Sequence, residues 1–276
     1  MTPAPLHRSQ VWGSPWPGIH AAQIWSGRHY GRHAHDFYGV GVLEQGAQRS
    51  SSGRLTVDAH AGDVLAHNPG EVHDGRPLHC EARAWRMVYF EPEAMAALAA
   101  ETNGGAAEMA LALPVMSDAP LQQAWRRLLG DLARWQAGAC DALPCDESLV
   151  LAAHQLLGRH AAPPRAPASA AANLERARQR LGDDLAHAPA LSELAQIAGL
   201  SRYQLLRRFA AAYGVTPHAW LLQRRAERAR ALIANGSSVT QAAGATGFAD
   251  QSHMTRIFTR HFGFTPGAWQ RARRPQ

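Results

Sequence analysis

Arg207 and Arg256 hold equivalent places in two stretches that repeat each other: Gly199-Leu200-Ser201-Arg202-Tyr203-Gln204-Leu205-Leu206-Arg207-Arg208-Phe209 and Gly247-Phe248-Ala249-Asp250-Gln251-Ser252-His253-Met254-Thr255-Arg256-Ile257-Phe258. A guanidinium is a rigid fork of donors that fits a phosphate or the edge of a guanine. Arg202, Tyr203, Gln204 and Leu206 surround the first arginine, and Gln251, Ser252 and Thr255 surround the second. These side chains hydrogen-bond to base edges or pack on them. That is a chemistry of recognition, and it involves no bond making.

Such residues work only if a scaffold presents them on one face. Gly199 permits a tight turn, and Ser201 with Gln204 three positions on forms a capping box, so a helix starts there. Leu205 and Phe209 then face inward, and Arg202, Tyr203, Leu206 and Arg207 face outward near the helix N-terminus, the end a recognition helix offers to DNA. The helices before it are expected over 174–186 and 191–198. Thr216-Pro217 restarts the chain as a helix to about Ala234, roughly 27 Å long at 1.5 Å per residue. Ser238 and Gln241 repeat the capping spacing, Gly247-Phe248 makes the second turn, Asp250 caps a second recognition helix, and Met254 and Phe258 point inward. A rod of that length can hold two recognition helices near the ~34 Å repeat of B-DNA.

The paired units, with their Gly-Phe-x-Asp-x-Ser turn and the endings Gly214-Val215-Thr216-Pro217 and Gly263-Phe264-Thr265-Pro266, resemble the DNA-binding domain of the AraC/XylS family of transcription regulators. The resemblance covers about 100 residues. It implies major-groove contacts by Tyr203, Leu206 and Arg207 and by Gln251, Ser252, Thr255 and Arg256. It also implies double-stranded promoter DNA as partner, a homodimer, and RNA polymerase as a further candidate partner of an activator. Leu206 is apolar where many relatives are polar, and Ala242 replaces a larger aliphatic, which predicts looser packing of the second unit.

Toward the N-terminus, Gly31-Arg32-His33-Ala34-His35-Asp36-Phe37-Tyr38 and Gly62-Asp63-Val64-Leu65-Ala66-His67-Asn68-Pro69-Gly70-Glu71-Val72-His73 resemble the two halves of a cupin motif, as in the sensor domain of many AraC-type regulators. By that resemblance His33, His35 and His73 match metal-binding histidines, while the glutamate position falls on Gly39 or Val40. Three imidazoles can hold zinc or iron with water completing the shell. The alternative is that the histidines bond strand ends or line a pocket for an organic ligand. His33, His35, Tyr38, His73 and Trp85 are the candidate lining residues, and no cofactor is required.

The surrounding elements fit such a sensor. Phe37–Leu43, residues 55–59 and residues 85–90 read as short strands flanked by glycine turns, the pattern of a small barrel or sandwich. Leu121, Trp125, Leu128, Leu129, Leu132 and Trp135 form one helical stripe, and Leu149, Ala152, Ala153, Leu156 and Leu157 another. Both could pack on the barrel, and part of one is expected to pair with a second copy. The Ala/Pro-rich residues 161–172 read as a linker. The fold class is therefore α+β in two domains: a cupin-like β-barrel (about 1–91) with a helical dimerisation element (about 92–160), then an all-α double helix-turn-helix (173–276).

Charge supports the division. Residues 173–276 hold 15 arginines against 6 acidic residues, whereas residues 1–172 hold 13 against 16, and lysine is absent. Cys80, Cys140 and Cys145 are odd in number, without a CxxC pair, and no apolar run marks a secretion signal or membrane span, so a cytoplasmic, non-enzymatic regulator that meets no membrane is expected. A metal-binding cupin enzyme, dioxygenase-like, with an accessory DNA domain is the alternative. A DNA-repair alkyltransferase is a third reading, against which none of the cysteines lies in an activating cluster.

Overall fold

A computed structural model describes residues 7–52, 55–78, 82–103, 109–163 and 172–273. It divides into two compact units, Met1–Arg165 and Ala166–Gln276. The first carries strands β1 (His7–Trp12), β2 (Ile19–Ser26), β3 (Tyr30–His33), β4 (Tyr38–Gln45), β5 (Ala47–Ser52), β6 (Leu55–His60), β7 (Val64–His67), β8 (His73–Pro77) and β9 (Arg83–Phe90). Then come α1 (Pro92–Asn103), β10 (Ala110–Leu111), β11 (Val115–Met116), α2 (Ala119–Gln136), α3 (Leu143–His160) and β12 (Ala161–Ala162). Antiparallel pairing gives a six-stranded sheet in the order β1-β2-β9-β4-β7-β11 and a four-stranded sheet in the order β3-β8-β5-β6.

Alternation along β4 sorts the two faces of the larger sheet. Tyr38, Val40 and Val42 join Val88, Phe90 and the helices in one large apolar cluster. Gly39, Gly41 and Leu43 turn the other way, toward the smaller sheet. The stripe of α2 (Leu121, Trp125, Leu128, Leu129, Leu132) and that of α3 (Leu149, Ala152, Ala153, Leu156, Leu157) are buried in this cluster, with Trp135 packed at its border. The Trp125 indole donates to the Val40 carbonyl at 2.8 Å. The stripes are core of their own unit, which corrects the expectation that one of them pairs with a second copy.

Two further expectations need correction. The sheet does not end near residue 91, because β11 adds a strand beside β7. The segment read as a linker includes parts of two elements: β12 pairs with β10, with Leu111 opposite Ala161, and Ala172 already belongs to the next helix. Residues 164–171 lie outside the described residues.

The second unit contains α4 (Ala172–Asp183), α5 (Leu191–Ala198), α6 (Arg202–Tyr213), α7 (Pro217–Ala234), α8 (Val239–Ala245), α9 (Gln251–Phe262) and α10 (Pro266–Ala272). Helix α4 stops three residues before the expected 186, where the Asp184 carboxylate accepts the Ala186 and His187 amides at 2.9 and 3.0 Å. Both capping boxes form, at Ser201/Gln204 and Ser238/Gln241, and Thr216, Asp250 and Thr265 cap α7, α9 and α10. Each cap satisfies an amide that the helix cannot. Ser201→Ala is therefore expected to lower stability by about 1 kcal/mol, read as a downward shift of the thermal unfolding midpoint. An unchanged midpoint would mean that the cap contributes nothing.

Candidate DNA-binding surface and ligand site

Helices α6 and α9 are amphipathic in the way a recognition helix must be. Leu205 and Phe209 of α6, and Met254 and Phe258 of α9, are wholly buried. Arg202, Tyr203, Gln204, Leu206 and Arg207 are exposed on α6, and Tyr203, at 68% exposure, projects furthest for so large an apolar ring. On α9, Gln251, Ser252 and Arg256 are exposed and Thr255 is half-buried. The Arg207 guanidinium lies 5.8 Å from the centre of the Tyr203 ring. Two of the expected contacts have structural duties as well: the Gln204 side-chain oxygen accepts the Ser201 amide at 3.0 Å, and that of Gln251 accepts the Thr240 hydroxyl at 2.7 Å.

What holds these helices is polar as well as apolar. Tyr213 at the end of α6 donates to Glu175 of α4 at 2.9 Å, and the Arg178 guanidinium with that hydroxyl holds the Glu175 carboxyl down at about 2. On α7, Arg225 donates to the Leu185 carbonyl at 2.7 Å. Burial alone would raise the Glu227 carboxyl, yet the bonds from His261 (3.3 Å) and Arg230 (3.2 Å) bring it below its ordinary value. The Trp269 indole donates to the Arg230 carbonyl at 3.0 Å, so one turn of α7 ties down both α9 and α10.

Between the two sheets of the first unit lies a cluster of imidazoles. His33 of β3 stands opposite His73 of β8, with ring centres 4.5 Å apart, and His35 is 4.8 Å from the first and 5.4 Å from the second. A nitrogen from each of the three lies within 4.8 Å of the others. His33 Nδ1 meets the Gly31 carbonyl at 2.7 Å, and His73 Nδ1 meets the Glu71 carbonyl at 2.8 Å. A carbonyl can only accept, so Nδ1 carries the proton in both rings, and in the neutral form of such a ring the lone pair is on Nε2.

A fourth histidine was not singled out from the sequence. His67 stacks on His73 at 4.7 Å, and its buried Nδ1 has no hydrogen-bond partner among the described residues. Burial first, and the neighbouring His73 second, hold this imidazole neutral far below its usual range. Its ring fills the place where a side chain on Gly39 would be, since a Cβ there would come 2.0 Å from His67 Nε2. Gly39 and His67 are paired across β4 and β7. The only local signal was the small residue at the position where the cupin pattern calls for glutamate.

The other expected lining residues stand elsewhere. Tyr38 lies on the opposite face of β4, and its hydroxyl donates to the Met109 carbonyl at 2.8 Å. Trp85 shares the inner face with Tyr89 but sits four residues along β9, where it packs 5.7 Å from Tyr30 and 4.9 Å from the Arg83 guanidinium. Arg83 is buried, donates to Gln48 and to the carbonyls of Ser26, Arg28 and Gly75, and burial pushes its pKa down to about 10. The inner face thus mixes these polar and aromatic side chains with buried Leu43 and Met87, unlike the uniformly apolar face under the helices.

Burial and the neighbouring Cys140 push the Cys145 thiol up to about 12, the opposite of activation, and Cys80 lies outside the described residues.

Sequence models of known families match both units: an AraC-like ligand binding domain over residues 19–195 and a helix-turn-helix domain over residues 194–272. The chain belongs to the AraC family of transcription regulators. Among its relatives is YbfI of Bacillus subtilis (strain 168), an uncharacterized HTH-type transcriptional regulator, 26% identical over 226 residues, which are 80% of each chain. The transcriptional activator NphR of Rhodococcus sp is 39% identical over 82 residues, 29% of this chain and 24% of that protein. The apo form of a ToxT variant from Vibrio cholerae strain SCE256 shares the fold over 98% of both chains, with a TM-score of 0.51 at 11% identity.

This AraC-family regulator therefore pairs a ligand-binding domain with a DNA-binding helix-turn-helix domain. In its second helix-turn-helix Ala242 is wholly buried, and its carbonyl accepts the Thr246 hydroxyl at 2.7 Å. Among the described residues no helix is long and apolar enough to cross a membrane.

Proposed function

We propose that this AraC-family regulator reads promoter DNA with the exposed faces of α6 and α9 and answers to a small molecule held between the two sheets of its first unit. The carrying observation is the exposure of Arg202, Tyr203, Arg207, Gln251, Ser252 and Arg256 on two helices whose opposite faces are wholly buried. Base contacts fall to these residues, with Leu206 and Thr255 against thymine methyls. The chain works in the cytoplasm, without catalysis of its own, as a homodimer that assists RNA polymerase. Leu143, Val150 and Leu151, exposed on α3, are the apolar residues available for pairing. Retardation of DNA flanking its own gene, shifted by an effector that also raises the thermal midpoint, is the expected result. Absence of retardation for every fragment at low salt overturns the reading.

A second reading of the same site, a transition metal, is favoured by the tautomers of His33 and His73. A histidine that ligates metal commonly donates its other N–H to a carbonyl, as these two do. Zinc with bonds of ~2.1 Å needs its ligand atoms about 3.4 Å apart, so modest side-chain rotation from the present spacing would suffice. His33, His35 and His73 would hold the ion, leaving a position open for an oxygen or nitrogen donor of the effector. Protein purified without chelator is then expected to carry close to one zinc or iron per chain, and His73→Ala to lose it. Substoichiometric metal in the parent, unchanged in His73→Ala, removes this reading.

A further inference from the structure

The loop between His67 and His73 is bonded at one end to the histidine cluster and at the other to β10, the strand paired with β12. Glu71 gives its backbone carbonyl to His73 and its carboxylate to the Ser52 hydroxyl and to Asn68. The Gly70 amide donates to the His35 carbonyl at 2.7 Å, so the loop touches two of the three candidate ligand residues. The Asn68 side chain spends both kinds of group on β10: its Nδ2 donates to the Leu111 carbonyl at 3.1 Å, and its Oδ1 accepts the Leu111 amide at 2.7 Å. Leu111 in turn pairs with Ala161 of β12, and the Ala112 amide donates to the His160 carbonyl at 2.9 Å.

The second hydrogen of the Asn68 amide goes to the Glu71 carboxylate at 2.8 Å. Glu71 cannot shift without disturbing that amide, and the amide cannot shift without loosening Leu111. We propose that Asn68 is the reporter of the inter-sheet site: a change at the histidine cluster moves Glu71, and Asn68 passes it to the β10–β12 pair and so to the start of the inter-unit segment. This rests on the reading of the histidines as the effector site, and it identifies the route by which occupancy leaves that site. Both ends of a two-state element must bias it for such coupling to exist.

The test is hydrogen exchange of the full chain, followed in peptides covering 109–112 and 160–163, for the parent, His73→Ala, Asn68→Ala and the double variant. His73→Ala is expected to speed exchange in both peptides about tenfold, and Asn68→Ala to do so as much or more. In the double variant the His73 change should add nothing, because the path is already cut. Asn68→Asp, which keeps the acceptor but loses both donors, serves in the same cycle if the alanine variant does not fold. Effects of the two substitutions that multiply independently, or a His73→Ala that leaves both peptides unchanged, overturn the proposal. Titration of the parent with Co(II), followed by absorbance, separates the two ideas. Failure to bind with a non-additive cycle removes the metal alone, and binding with an additive cycle removes the relay alone.

Discussion

Arg207→Ala with Arg256→Ala is expected to abolish specific DNA binding under conditions where the parent saturates its site. Each guanidinium that contacts bases is worth about 1 to 3 kcal/mol, and the two lie on separate helices without a shared partner. Their effects should add, for a loss of about 2 to 6 kcal/mol, or roughly thirtyfold to more than ten thousandfold in dissociation constant. The fold should survive, because both side chains are exposed and neither makes an ion pair among the described residues. Fluorescence anisotropy on the specific site and on a scrambled one separates the possible roles. Loss on the specific site with little change on the scrambled one marks base contacts. Equal weakening on both, with a shallower salt dependence, marks phosphate contacts and removes the base assignment.

Gly247→Ala is expected to destabilise the second unit by about 3 kcal/mol or more. Two costs combine. The backbone at Gly247 has φ +75°, a region that a side chain makes unfavourable, and the new Cβ would lie 2.6 Å from the Ala186 Cα and 2.8 Å from the Leu185 and Ala186 carbonyl oxygens. All three atoms are backbone, in the segment that Arg225 holds through the Leu185 carbonyl. No rotamer change relieves such a contact. Gly236→Ala is the control, since φ there is +93° but no atom lies within 4 Å of the new Cβ, so it carries the strain without the collision. Urea unfolding should place Gly247→Ala well below Gly236→Ala with the same slope. Equal stabilities would show that the 185–186 segment moves aside freely, and that the turn of the second helix-turn-helix does not rest on it.

The second unit was legible in detail because its signals are local. A capping box spans four residues and a left-handed turn needs one, so the sequence predicts 191–198, the starts after Ser201, Thr216, Ser238 and Asp250, and the end of α7 near Ala234, all of which the structure has. Both ends of α4 are misplaced: it starts two residues before the expected 174, and it stops where Asp184 turns the chain by side-chain bonds to amides that helical periodicity does not reveal. The first unit was read more coarsely. Strand β5, Ala-Gln-Arg-Ser-Ser-Ser, has no apolar alternation, and β10, β11 and β12 are two residues each, so only their distant partners make them strands.

The same contrast divides the two functional surfaces. Which residues of α6 and α9 face outward follows from helical period and capping, both short-range properties of the chain, so the amino-acid sequence alone determined the outward faces of these two helices. Whether a residue of β4 joins the histidines or the helices depends on which face of a sheet is covered, and that is decided by packing between segments far apart in sequence. Tyr38 therefore lies among the helices, His67 occupies the space left by Gly39, and the loop from Asn68 to Glu71 reaches Leu111. Only the tertiary structure could decide these, because each depends on long-range pairing that no local propensity encodes.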